Sequence, residues 1–161
     1  MSAASLWCNA WEQGELSDEV LADRVAELLE SRNGARGFFV IGLASDCPLF
    51  DRLPDDLVLQ LHKAGEGIVD LTVRNLAMST AMAVHHARQS DSKQQARSER
   101  ITARCTELLR LLEPKAVKER LERLLEGLTG DGDDALFIKR WKYDNEQITA
   151  IKSSLNAVAK N

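Results

Sequence analysis

Asp70, Arg74 and Asn75 are the polar groups nearest the most apolar helical stretch of the sequence, and together they could hold a small polar ligand. Asp70 and Arg74 stand at i, i+4 in the acid-first order that favours an ion pair along a helix. Buried, such groups must be paired, so the alternative to a ligand pocket is a structural pair that fixes helix register. His62, His85 and His86 are the only histidines, and a metal cluster would need them to converge. On one continuous helix His62 and His85 would lie ~34 Å apart, and His85 and His86 would point about 100° from each other. That spacing predicts no metal site and no cofactor. A tetrapyrrole held through His85 or His86 is the alternative, with no C-x-x-C-H motif to support it.

Cys8, Cys47 and Cys105 are odd in number, far apart and outside any C-x-x-C pair. Reduced thiols are expected from this, not a disulfide framework or a structural zinc site. Cys47 lies in Asp46-Cys47-Pro48 with no flanking base, so no nucleophile is assigned, and no catalytic residue is expected elsewhere. The loop opening at Asp131 has acids at positions one and three of a calcium loop. It carries Leu136 where glycine is needed and Lys142 where glutamate is needed, so a helix cap accounts better for its acids. Arg97, Arg100 and Arg104 repeat along one helix and offer a partner-binding surface. Glu99 and Glu107 interrupt that row and no aromatic residues interleave, which argues against nucleic acid.

These groups sit on helices throughout. Ile68 to Arg88 is expected as the central helix, because Leu76 to Val84 is uncharged at every angle of the helical wheel. Asp70 and Arg74 in its first turns make it too short an apolar run for a membrane span. Its alanines and Ser79 permit close approach of other helices. Before it, Leu6, Trp7, Ala10 and Trp11 mark a short helical turn. Ser17 or Asp18 caps a helix that Asn33-Gly34 is expected to stop, and Arg36 to Ser45 reads as a short buried helix over a competing strand. Pro54 opens the next helix, and Gly65 with Gly67 breaks it. After a loop over 89–97, helices are expected over Ser98–Leu112 and Val117–Leu128. A single long one follows from about Asp134.

The 161 residues, 44% hydrophobic and 29% charged, are long enough for one real core and far from a disordered composition. The expectation is an all-α single domain over 1–161, a bundle of about six or seven helices, with residues 1–5 flexible. The start has no basic n-region or apolar run of a signal peptide or anchor, which places the chain in the cytoplasm. The net charge of −4 conceals a polarity: residues 12–70 hold 13 acids and 5 bases, and residues 88–123 hold 10 bases and 6 acids. Opposite surfaces of that kind steer the encounter of protein partners, including a second copy of the chain. The segments ARGFFV, NLAMSTAMAV and KRWKYDNEQ resemble a family of small uncharacterised cyanobacterial helical proteins from Ala35 onward, and that resemblance implies no activity, cofactor or site residue. A non-catalytic interaction or assembly protein is the expected function. The alternative is a ligand or cofactor binder that uses the polar groups of the central helix.

Overall fold

Helical spacing of apolar residues decides almost every segment. The computed structural model describes residues 3–159 as nine α-helices and one 3-10 turn, with no strand among the described residues; the described residues are 82% helical. Of the stretch expected to be flexible, residues 1 and 2 lie outside the described residues, and α1 begins at Ala3. The chain divides into two compact units, Met1–Leu71 and Thr72–Asn161.

The first unit holds α1 (Ala3–Glu12), α2 (Asp18–Leu29), α3 (Arg32–Ala44), the 3-10 turn Pro48–Asp51 and α4 (Asp55–Ala64). Ser17 caps α2 by accepting the Val20 N–H at 3.2 Å. The stop between α2 and α3 is not at Asn33-Gly34, which lie inside α3. It falls at Ser31, whose hydroxyl accepts the Gly34 N–H at 2.9 Å. Gly34 is needed for room rather than for a left-handed turn, since a Cβ there would collide with the Leu28 carbonyl. Arg36 to Ala44 is helix because Phe38, Phe39, Gly42 and Leu43 form one buried face. Phe38, Phe39 and Phe50 meet edge to face with centroids 5.5–6.0 Å apart, the arrangement aromatic quadrupoles prefer. Gly42 makes space for the Phe50 ring, which lies 2.9 Å from where its Cβ would stand. Gly65, at φ +77°, ends α4.

Cys8 and Cys47 overturn the expectation of three reduced thiols. They are joined as a disulfide with Cα atoms 6.3 Å apart, tying α1 to the residue before the 3-10 turn across 39 positions of sequence. Cys105 alone is a free thiol, and it is buried.

Helix α5 (Glu66–Arg88) runs from the first unit into the second. Its buried part lies earlier than Leu76 to Val84: Thr72, Val73, Leu76, Ala77, Ser79, Thr80 and Ala81 are buried, and Met82 is already 43% exposed. In the second unit α5 is followed by α6 (Ser92–Leu111), α7 (Pro114–Leu128), α8 (Ala135–Trp141) and α9 (Asn145–Ala159). Expected boundaries move at two places. The loop over 89–97 shrinks to residues 89–91, because Ser90 adopts φ 56° and Asp91 caps α6 by accepting the Gln94 N–H. The single last helix is split by Lys142, which is left-handed at φ 53°. Asp144 then accepts the Gln147 N–H at 3.0 Å and starts α9. Between α6 and α7, Pro114 takes the first helical position and the Glu113 carboxylate accepts the N–H groups of Lys115 and Ala116.

Candidate functional site

The polar groups expected on α5 fall in two sets along the helix, Asp70, Arg74 and Asn75 in its first half and His85 and His86 in its last turn. Arg74 is exposed and lies with its guanidinium 5.2 Å from the centroid of Phe137 on α8, a cation–π contact. Asp70 and Asn75 are half-buried. His85 is exposed, His86 half-buried, and their rings meet edge to face at 5.4 Å. Arg74 and His85 stand eleven residues apart on one helix, roughly 16 Å. No group of three or more His, Cys, Asp or Glu that could hold a metal comes together among the described residues. No helix among them is long and apolar enough to cross a membrane.

The three arginines of α6 part company as well. Arg97 is exposed, Arg100 half-buried, and Arg104 only 2% exposed. Arg104 follows Ile101 by three residues and precedes Leu108 by four, so it shares the apolar stripe and does not oppose it.

Sequence reasoning missed two polar features. Arg120 on α7 makes a two-pronged bond to Asp134, the residue before α8, at 2.6 and 3.0 Å, with side chains 3% and 7% exposed. Asp134 is thus a buried ion-pair partner, and its side chain caps nothing. The signal was present: Arg120 sits in register with Val117, Leu124 and Leu128, the buried stripe of α7. At the end of α5, Arg88 bonds both Asp144 oxygens at 2.6 and 2.9 Å and Glu146 at 3.0 Å. The Arg88 hydrogen bonds first, then the Gln147 N–H, lower the Asp144 carboxyl to a pKa of about 2. Hydroxyl pairs complete this end of the second unit, Ser79 with Thr102 at 2.7 Å and Thr80 with Ser154 at 2.9 Å. Gln147 donates to the Ala81 carbonyl at 3.1 Å.

A groove of about 530 Å³ lies where α6, α7 and α9 meet. Val117, Leu121, Leu124 and Leu128 form the buried stripe of α7, and Val117 and Leu121 also line the groove together with Pro114, Lys118 and half-buried Leu125. Leu109 and Leu112 of the α6 end and Leu155 and Val158 of α9 form the other walls. Arg110 holds two walls together: its guanidinium bonds Glu107 on α6 at 3.0 Å and the Ala157 carbonyl on α9 at 2.8 Å. Arg110, Lys118, Glu122 and Asn156 stand exposed along the rim. The α7 wall of the groove, from Pro114 to Leu125, is roughly 16 Å long, about three helical turns.

No curated protein and no solved structure matches the chain. A family pattern described as "Uncharacterised conserved protein UCP020893" matches residues 1–158, which extends well before Ala35. The chain belongs to that family.

Proposed function

We propose that the chain is a non-catalytic interaction protein whose α6–α7–α9 groove receives an amphipathic helix of a protein partner. The observation that carries this reading is the groove itself, an open-sided and mainly apolar channel walled by Leu109 and Leu112, by Leu121 and Leu125, and by Leu155 and Val158 from three helices. An open-sided groove suits a continuous helix, whereas small-molecule sites enclose most of their ligand. Charge chooses the partner. The groove is cut largely into the segment 88–123, which holds 10 bases and 6 acids, and Lys118 stands on its rim. An acidic polar face on the incoming helix complements it and steers the encounter. Arg97, exposed on α6 thirteen residues before Arg110, adds to the positive charge of that segment. Residence in the cytoplasm belongs to this reading. There a bond between Cys8 and Cys47 is made and broken rather than permanent.

The test is affinity capture from native cell extract at low and high salt, with wild type, Leu125→Glu and Lys118→Glu side by side. Leu125 is half-buried, so its glutamate points a charge into the groove, and circular dichroism verifies that the variant stays folded. Partner recovery should be lost at both salts with Leu125→Glu and weakened mainly at low salt with Lys118→Glu. Sedimentation of the chain alone reads whether the partner is a second copy. Equal recovery of every associated protein by all three chains contradicts the proposal.

A further inference from the structure

We infer that α8 and the turn after it form a docking surface for an anionic lipid bilayer, in which Leu136 and Trp141 enter the headgroup layer and Lys139, Arg140 and Lys142 bind lipid phosphates. The surface shares no residue with the α6–α7–α9 groove and does not depend on it. Residues 135–143, ALFIKRWKY, hold three bases and no acid. Ile138 is the buried anchor of α8. Leu136, two residues before it, falls on the opposite side of the helix, one turn from Arg140. It is 79% exposed, more than any other large apolar side chain among the described residues, and Trp141 is 49% exposed. Single exposed apolar side chains are ordinary. A leucine and a tryptophan framing adjacent exposed bases are the composition of an element that lies on a membrane surface.

The bases are available to an outside anion. Lys139, Arg140 and Lys142 are exposed, and no carboxylate among the described residues pairs with them. The acids nearest in sequence are already bonded, Asp134 to Arg120 and both Asp144 and Glu146 to Arg88. Asp131 and Asp133 precede the other end of α8. Lys142 carries a second argument. It holds the left-handed position after α8, φ 53°, where glycine is the usual residue and a side chain is strained. Backbone preference does not explain a lysine there, and a charge for lipid phosphate does. The platform is fixed by the Arg120–Asp134 pair at its start, by Ile138, and by the Arg74 guanidinium 5.2 Å from the Phe137 ring centroid. A nucleic acid would use the bases and stack on Trp141 but offers Leu136 nothing to enter. A bilayer interface takes both apolar side chains with the bases around them.

The experiment is co-sedimentation of the full chain with vesicles of phosphatidylcholine alone and of equimolar phosphatidylcholine and phosphatidylglycerol, at low and high salt. The chain should bind the anionic vesicles only, and less as salt rises. Each base near an anionic surface contributes roughly fivefold in affinity, so Lys139→Glu/Arg140→Glu should weaken binding by about twenty-fivefold or more. Lys142→Gly suits the left-handed backbone, stays folded, and should weaken binding about fivefold. Leu136→Ser should weaken it at both salts. Lipids brominated in their acyl chains should quench tryptophan fluorescence in wild type but not in Trp141→Ala. The groove variant Leu125→Glu should bind vesicles as wild type does, which separates this inference from the proposed function. Equal recovery with neutral and anionic vesicles, recovery with neither, or binding unchanged in Lys142→Gly and Leu136→Ser overturns the inference. An oligonucleotide or a polyglutamate peptide bound where anionic vesicles are not overturns it too, and assigns the bases to another anion.

Discussion

Replacing Asp134 by alanine should be among the most damaging single changes in the second unit. Arg120 and Asp134 share two hydrogen bonds of 2.6 and 3.0 Å with their side chains 3% and 7% exposed. Alanine removes the carboxylate and leaves a guanidinium where water cannot replace both bonds. Breaking one half of a buried pair costs about 3–5 kcal/mol. For a unit of this size that amounts to a fall in melting temperature of roughly 12–40 °C. Arg120→Met, which strands the carboxylate instead, should cost a similar amount. The double variant Arg120→Met/Asp134→Leu should recover most of the loss, because neither charge is then left alone. Gly127→Ala tests the packing that permits the pair. A Cβ on Gly127 would lie 2.7 Å from the Asp134 Cβ and 2.9 Å from its carbonyl carbon, so α8 must shift, at ~1–3 kcal/mol. Urea unfolding followed by circular dichroism reads all four variants. An Asp134→Ala midpoint within about 1 kcal/mol of wild type, or a double variant no better than the single ones, would refute the reasoning.

Three further outcomes are expected. Ala81 is fully buried on α5, so Ala81→Leu should overpack its surroundings and cost ~1–3 kcal/mol, read as a lowered melting temperature. Cys105, with its thiol pushed up to about 12 by burial, should resist alkylation in the folded chain at about pH 9 and react on unfolding. Asp144 should remain ionised until the pH falls to about 2. Its folded pKa is depressed, so its contribution to stability is present above the ordinary carboxylate range and is lost as pH falls through that folded value. Arg88→Ala should return the Asp144 titration, followed by NMR, toward the ordinary carboxylate range.

Periodicity made the helical class legible, because each segment buries one stripe and the spacing of that stripe is local information. The same holds for the Ser17 cap and the Gly65 break. Boundaries failed where the deciding contact is tertiary or rests on one backbone angle. Gly34 reads as a stop yet serves close approach to Leu28, and Lys142 breaks the last helix in a left-handed conformation that its residue type does not announce. Charge misled at Arg104, expected on a partner-binding surface although its position falls in the apolar stripe of α6, and Arg120 drew no reading although it sits in the buried stripe of α7. The Cys8–Cys47 bond was illegible: no spacing rule pairs cysteines 39 residues apart. The groove lay half in view. The apolar positions Leu121 and Leu125 could be read from α7, but that a groove stays open between α6, α7 and α9 could not.

The measurement closest to the central claim is photo-crosslinking in native cell extract from a photoactivatable phenylalanine analogue placed at Glu122 on the groove rim, with exposed Leu59 of α4 as the control position. The account predicts an adduct from Glu122 alone, to a partner peptide with apolar residues at i, i+3 or i+4, and i+7 and acids on its other face. Its yield should fall with added salt. No adduct from Glu122, or the same adducts from Leu59, would contradict it.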